Sequence, residues 1–375
     1  MNHIALVIPT IDRIGGAERQ VILLARGLRK RGWQISLIAL SGTGGDALEA
    51  LNSAGVSFLS LKMRKGLVDL RGWIRFQQWL RLNKPDIVHA HLPHAAWLAR
   101  WSRLAGPSRA LVDTLHSPAT GSIGRKLGYH LSAWFPDKVT AVSLAVAEAW
   151  FSALNEERLI VIPNGVDIQS WKPNATARRD IRQALRISDE FLWLAVGRLE
   201  PVKDYRTMLL ALAELPLDTR LVIAGVGQLE CELRRLTSEL NLDQRVRFLG
   251  FEPDVLRWMQ AADGFVLSSL WEGLPMALLE ASACALPAVV SDVPGVSEIL
   301  EDGRNGLKFA PGNSKSLSIA MRELMQMSSA ERELIGKRAQ TRVEENFCLD
   351  RVLERWEALY RELLQANLVP RRFAK

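Results

Sequence analysis

Two pairs of charged side chains are set apart by their surroundings. Arg198 and Lys203 lie in Gly197-Arg198-Leu199-Glu200-Pro201-Val202-Lys203-Asp204, directly after the apolar run Phe191–Val196. If that run is a strand of an open α/β sheet, the loop at its carboxyl end is where ligands bind. There an arginine offers a planar fork of donors and a lysine a point charge, a combination suited to one diphosphate. The plainer alternative is surface charge on a loop. Glu272 and Glu280 bracket Gly273-Leu274-Pro275-Met276-Ala277-Leu278-Leu279, with seven residues between them. Pro275 suits the first helical position, which places the backbone of Gly273 and Leu274 at a helix N-terminus, a site for anions. Carboxylates accept well from vicinal hydroxyls, so the two can address different polar parts of one elongated ligand. Glu280 sits among Ala277, Leu278, Leu279, Ala281 and Ala283, where a carboxylate needs a partner.

A third feature is Gly15-Gly16-Ala17-Glu18, just after the apolar run Ile4–Ile8. Glycines let backbone approach a ligand, and the helix that follows offers free N–H groups to phosphate. The spacing is not that of the dinucleotide fingerprint, so no nicotinamide cofactor is implied. His89, His91 and His94 are close in sequence, and His89 and His91 share a strand face. No carboxylate or cysteine nearby completes a ligand set, so no metal is expected.

The elements that must hold these residues follow from periodicity. Ile4–Ile8, Ile35–Leu40, Ile87–His89, Ala110–Leu115, Lys138–Ala141 and Ile160–Ile162 read as buried strands, with helical stretches such as Glu18–Arg31 between them. After the turn Pro163-Asn164-Gly165 the rhythm restarts with Phe191–Val196, Arg220–Ala224, Arg247–Leu249, Phe265–Leu267 and Ala288–Val290. Alternating β and α imply parallel sheets covered on both faces. The expectation is two doubly wound α/β domains facing a cleft, residues 1–165 and 166–348. Helical patterns over about 332–345 and 349–364 have no strand after them.

Composition bounds the rest. The 375 residues are 48% hydrophobic and 24% charged, which excludes a disordered chain, a collagen and a disulfide scaffold. The three cysteines, Cys231, Cys284 and Cys348, are widely spaced and fit a reducing compartment. No apolar run reaches the roughly 18 residues of a membrane span, so the expected place is the cytoplasm or the cytoplasmic face of a membrane. Residues 1–165 carry 20 Lys and Arg against 11 Asp and Glu, while the remainder is close to balance with 28 against 30. This asymmetry points to an anionic partner for the first domain. No helix-turn-helix or RNA-binding signature accompanies it, and nucleic acid is not expected.

Taken together, Gly15-Gly16-Ala17-Glu18, Val161-Ile162-Pro163-Asn164-Gly165-Val166-Asp167, Val196-Gly197-Arg198 with Lys203, and Glu272 to Glu280 resemble family 4 of the retaining glycosyltransferases. The order and spacing match from about residue 3 to 360. The resemblance implies the GT-B fold, two Rossmann-like domains with the C-terminal helix, about 349–375, packed back on the first. It implies that Arg198 and Lys203 bind a donor diphosphate and Glu280 the ribose hydroxyls. Glu272 would contact the sugar, helped by the backbone from Gly273 through Leu274 and Pro275 to Met276. Gly15 and Gly16 would approach the diphosphate and the acceptor, and Val246–Phe251, with Gly250, would border the nucleobase. His116 would stand near the reacting sugar. The implied reaction is sugar transfer with retention, from a nucleotide sugar, typically a uridine diphosphate sugar, to a saccharide or lipid-linked acceptor of an envelope polysaccharide or glycolipid. The leaving phosphate would take the acceptor proton, and no metal would be required. A sugar synthase with a soluble acceptor is the alternative.

A lipid-linked acceptor raises the question of a membrane surface. Lys62, Arg64, Lys65, Arg71, Arg75, Arg81 and Lys84 surround Leu67, Leu70, Trp73, Ile74 and Leu80, a basic amphipathic pattern over residues 62–84. Arg100, Trp101, Arg103, Arg125, Lys126, Trp134 and Phe135 add basic and aromatic side chains. The competing expectation is that the apolar stripe packs on its own core.

Overall fold

The computed structural model describes residues 1–12, 15–64, 69–103, 110–118, 128–129, 131–132, 134–151 and 159–366. The chain divides into two units, Val166–Cys348 and the residues on either side of it.

The first unit is a parallel sheet of seven strands: β1 His3–Ile8, β2 Gln34–Ala39, β3 Ser57–Ser60, β4 Ile87–His91, β5 Ala110–Leu115, β6 Lys138–Ala141 and β7 Leu159–Val161. The order is β3-β2-β1-β4-β5-β6-β7, so the winding reverses between β1 and β4. Its described helices are α1 Gly16–Lys30, α2 Ala47–Ser53, α3 Leu70–Asn83, α4 Pro93–Ser102 and α5 Leu144–Phe151. The strands are nearly continuous runs of β-branched and apolar residues because helices cover both faces. All six residues of β1 and all six of β5 are buried.

The second unit repeats the plan with β8 Phe191–Val196, β9 Thr219–Ala224, β10 Val246–Gly250, β11 Gly264–Leu267, β12 Ala288–Ser291 and β13 Leu307–Phe309, in the order β10-β9-β8-β11-β12-β13. Here the reversal falls between β8 and β11. The helices are α6 Ala175–Leu185, α7 Tyr205–Ala213, α8 Glu230–Glu239, α9 Val255–Ala261, α10 Met276–Ala283, α11 Pro294–Ser297, α12 Ser314–Gln326 and α13 Ser329–Asn346.

The last helix, α14 Leu349–Ala366, belongs to the first unit. Val352, Leu353, Trp356, Leu359, Tyr360 and Leu363 recur at helical spacing and are buried in the core formed by β1, β2 and α1. Each such side chain contributes about 1.5–3 kcal/mol of burial. Gly27 of α1 lies against this helix, since a Cβ there would stand 2.5 Å from Leu353 Cδ1. Polar contacts fix the register: Glu357 accepts from Arg31 at 3.0 Å and from the Trp33 indole at 2.8 Å.

The strand expectations agree with these elements, apart from two short strands the pattern did not suggest, β3 and β13. Pro275 precedes its helix rather than opening it: it is the N-cap, with φ −71° and ψ 111°. Among the described residues no helix is long and apolar enough to cross a membrane.

Three residues grouped with the surface pattern, Arg100, Leu80 and Phe135, are not on the surface. Arg100 is fully buried and pairs with Asp113, Nε to Oδ2 at 2.6 Å, because β5 places a carboxylate under α4 and a buried charge needs a partner. Leu80 is buried too, because α3 packs Phe76, Gln77 and Leu80 inward. Arg103 is tied to Asp137 at 2.9 Å, and Phe135 is buried. By contrast Leu70, Arg71, Ile74, Arg75 and Arg81 of α3, with Lys62, Arg64 and Lys84 beside it, are exposed. Lys65, Leu67, Arg125 and Lys126 lie outside the described residues.

Candidate active site

In a doubly wound sheet, ligands bind beyond the strand carboxyl ends where the winding reverses. In the second unit this point is flanked by the loops after β8 and β11, and these loops carry Arg198, Lys203 and Glu272.

The β8 loop runs from Gly197 into a short 3-10 turn, Pro201–Lys203, and Asp204 then takes a left-handed conformation (φ 44°) and caps α7 by accepting from Thr207 N at 3.3 Å. The β11 loop is stitched to it. Ser268 Oγ lies 2.8 Å from Lys203 O and 2.9 Å from Asp204 O, and Leu270 N donates to Val202 O at 2.8 Å. This brings Lys203 Nζ to Glu272 Oε1 at 2.6 Å, with Ser269 Oγ donating to the same oxygen at 2.6 Å. Both partners are mostly buried, with side chains 17% and 10% exposed, so the pair is shielded from screening. Arg198 is instead turned toward solvent and donates to Glu200 Oε1 at 2.8 Å. Thus Lys203 and Glu272 are brought together directly, whereas Arg198 is on the same loop with a different partner.

Backbone packing keeps this edge open. Gly197 and Gly225 directly follow β8 and β9, and Gly250 ends β10. Gly225 (φ 154°) donates to Gly250 O at 2.8 Å, and a Cβ on it would lie 1.9 Å from Gly197 O. Gly250 has φ 72°, with Phe251 exposed after it. Gly273, Leu274, Pro275 and Met276 are buried at the start of α10, and the adjacent α11 leaves room for the Glu272–Gly273 backbone only because residue 295 is glycine: a Cβ there would be 2.3 Å from Gly273 O. Glu280, further along α10, is 3% exposed, and together with burial its charge pushes the Cys284 thiol up to about 12.

In the first unit, Gly15 caps α1, its N–H donating to Glu18 Oε2 at 3.1 Å, and Gly16 is the first residue of that helix. Asp12, in the same loop, accepts from Thr43 N and Gly44 N at 2.8 Å each and so ties the β1 loop to the β2 loop. His116 follows β5 and lies 3.1 Å from His91 Nδ1 through its Nε2. Burial holds His116 down to about 4, and burial, with the neighbouring histidines, holds His89 and His91 well below their usual value. All three are neutral near pH 7. His89 is enclosed by a directed chain. Thr140 Oγ1 donates to Asp113 O (3.2 Å), so Thr114 donates to Thr140 (2.7 Å), His89 Nε2–H to Thr114 (2.6 Å), and Tyr360 O–H to His89 Nδ1 (2.7 Å). His94 is exposed at the start of α4. Among the described residues no group of three or more His, Cys, Asp or Glu is placed to hold a metal ion.

The motifs left several of these residues out: Asp12, Ser268, Ser269, Gly225 and Gly295. Gly225 was within reach, because Gly225-Val226-Gly227 follows a strand directly; the serines and Asp12 act through contacts no local pattern encodes.

The family described as Glycosyltransferase Family 4 matches residues 14–170, and the family described as Glycosyl transferases group 1 matches residues 177–342. An Escherichia coli UDP-Gal:alpha-D-GlcNAc-diphosphoundecaprenol alpha-1,3-galactosyltransferase is 31% identical over 259 residues, which span 64% of this chain and 66% of that protein. A Bacillus anthracis N-acetyl-alpha-D-glucosaminyl L-malate synthase is 28% identical over 298 residues, 75% of each chain. The crystal structure of Anabaena HepE in complex with UDP and glucose superposes with a TM-score of 0.87 at 24% identity, covering 96% of this chain and 100% of the other. With two Rossmann-like units of the GT-B fold and both family matches in sequence order, the chain is a glycosyltransferase and belongs to family 4.

Proposed function

We propose that the protein is a retaining glycosyltransferase that moves a sugar from a uridine diphosphate sugar to a saccharide or lipid-linked acceptor in envelope polysaccharide or glycolipid synthesis. The observation that carries this reading is the Lys203–Glu272 pair at the winding reversal of the second unit. A cation suited to a diphosphate stands there beside a carboxylate suited to sugar hydroxyls, which supports the reading. The galactosyltransferase relative uses a UDP-sugar and an undecaprenol-linked acceptor by name, and HepE was crystallised with UDP and glucose.

The chemistry follows from charge. Transfer develops positive charge at the anomeric carbon and negative charge on the leaving diphosphate. Fixed cations at that diphosphate stabilise the transition state more than the ground state. Lys203, Arg198 after it leaves Glu200, and the α10 N-terminus supply this, and no metal enters the proposal. Glu272 orients the sugar, Glu280 takes the ribose hydroxyls, and Gly15, Gly16 and His116 serve the acceptor and the reacting sugar. Attack on the face the diphosphate leaves, with a diphosphate oxygen taking the acceptor proton, gives retention without a protein nucleophile. The exposed basic face of α3 meets an anionic membrane surface, where a lipid-linked acceptor resides. A second reading, transfer to a soluble acceptor, is favoured by the L-malate synthase relative.

A thermal-shift panel of nucleotide sugars tests the donor: a ligand at about 100 times its dissociation constant stabilises by about 2.7 kcal/mol. We expect uridine diphosphate sugars to shift the melt and Lys203→Ala to lose the shift. No shift with any nucleotide sugar would refute the reading. Turnover with a polyprenyl-diphosphate sugar against small acceptors, with product anomers assigned by NMR, separates the two acceptors and tests retention.

A further inference from the structure

His91 is 1% exposed at the carboxyl end of β4, against His89 with ring centroids 4.0 Å apart and ring planes tilted by 40°. Its Nδ1 lies 3.1 Å from His116 Nε2, and its own Nε2 is buried with no hydrogen-bond partner among the described residues. His116 is only partly buried, and its bond to His91 uses the Nε2 side, which turns Nδ1 away from His91. Two neutral arrangements satisfy the His91–His116 bond. Either His91 Nδ1–H donates, leaving a bare lone pair at His91 Nε2, or His116 Nε2–H donates, leaving an N–H orphaned at His91 Nε2. Buried orphaned N–H groups are rare and carry the full desolvation penalty, so the first arrangement prevails. His89 gives no relief, since both of its nitrogens are engaged in the Tyr360–Thr114 chain.

We infer that His91 is a positioning residue that fixes the tautomer of His116, so that His116 presents Nδ1–H, a hydrogen-bond donor, beyond the carboxyl end of β5. The ligand chemistry it recognises is an oxygen acceptor, a hydroxyl of the sugar. It does not present the bare nitrogen of a general base. This rests on the proposed role of His116 beside the reacting sugar. It adds which nitrogen faces the substrate, in what protonation state, and which residue enforces it.

The test is nitrogen NMR of the full chain labelled in histidine, near neutral pH, with transfer kinetics on the same variants. In the unsubstituted protein the His116 signals should be those of the Nδ1–H tautomer. His91→Phe removes the partner, and His116 should shift toward the Nε2–H form that an unconstrained imidazole prefers. In that variant kcat should fall about tenfold, the scale of one neutral hydrogen bond, with uridine diphosphate affinity unchanged. His91→Asn supplies an amide N–H in place of Nδ1–H and should restore both the tautomer and kcat. An Nε2–H His116 in the unsubstituted protein, or a tautomer indifferent to His91→Phe, overturns the inference. If no nucleotide sugar is turned over, the functional reading fails while the NMR result still decides the tautomer.

Discussion

Lys203 cannot serve a diphosphate and hold Glu272 equally well. With the pair at 2.6 Å, an arriving nucleotide competes with a carboxylate already in place. Glu272→Gln should therefore bind uridine diphosphate no more weakly than the unsubstituted protein while losing transfer, whereas Glu280→Gln should weaken uridine diphosphate binding itself. Lys203→Ala should lower kcat by about 10²–10³, as for a lost transition-state charge contact. Calorimetry with uridine diphosphate and steady-state kinetics separate these; weaker nucleotide binding in Glu272→Gln would reverse the assignment of the two carboxylates. Arg100 and Asp113 are a different kind of pair. Both side chains are 0% exposed, and Arg100 also donates to Tyr129 O and Ser132 Oγ and stacks on the Tyr129 ring. Removing one partner strands a buried charge, so Asp113→Ala should cost about 3–5 kcal/mol in urea unfolding, and Arg100→Met with Asp113→Leu should recover much of it. Additive losses in the double variant would contradict this. The histidines set a pH dependence. His116 is held at about 4 by burial against an ordinary 6.5, so between those values the unfolded chain binds the additional proton. That stability is present above about 6.5 and is lost as pH falls toward 4. The melting temperature should drop across this window, and less steeply in His116→Gln; parallel slopes would show that His116 does not contribute.

At the scale of elements, the doubly wound plan was legible because a strand buried on both faces must be a continuous apolar run, as Ile4–Ile8 and Phe191–Val196 are. β3 and β13 escaped because Ser57-Phe58-Leu59-Ser60 and Leu307-Lys308-Phe309 are short and carry polar residues, and pairing with β2 and β12 supplies what their own composition lacks. The place of α14 could be stated from the family resemblance but not from its heptad-like stripe, which names a buried face without saying what it faces; Leu353 against Gly27 and Glu357 under Trp33 supply that. For the site, the charged residues were legible through their loops. The Lys203–Glu272 pairing was not, since it depends on Ser268 and on the Leu270–Val202 bond across 68 residues of chain. Glycine carries most of the hidden information. Gly225 combines a φ of 154° with a carbonyl 1.9 Å from where a Cβ would sit. Gly225→Ala should force β8 and β9 apart at their carboxyl ends, destabilise the second unit by about 1–3 kcal/mol and abolish the nucleotide-induced thermal shift. A variant with unchanged urea midpoint and nucleotide response would show that the edge yields more easily than this packing implies.

Over the whole chain, charge is partitioned: the first 165 residues hold 20 cationic against 11 acidic side chains, and the rest are near balance. The fold consumes part of that excess internally, since Arg100 is buried on Asp113 and Arg103 is tied to Asp137. Among the described residues, what remains outward is concentrated on and around α3. There Leu70 and Ile74, one helical turn apart, are 64% and 41% exposed, with Arg71 and Arg75 interleaved and Lys62, Arg64, Arg81 and Lys84 also exposed. The inward stripe of α3 already satisfies the core through Phe76 and Leu80. The outward Leu–Ile pair is thus in excess of what folding needs, and cations around an apolar pair are the composition of an interfacial helix. Near an anionic surface each Lys or Arg contributes about 1 kcal/mol, decaying within a Debye length. The protein should co-sediment with vesicles containing phosphatidylglycerol and not with purely zwitterionic ones, and high salt should release it. Arg71→Glu with Arg75→Glu should abolish binding, and Leu70→Ser with Ile74→Ser should weaken it while preserving its salt dependence. Both double variants keep the inward face of α3 intact, so turnover on a water-soluble acceptor should survive in each. Vesicle binding that is absent, indifferent to lipid charge, or unchanged in the double glutamate variant would remove the membrane from the proposed function and leave the soluble acceptor as the better reading.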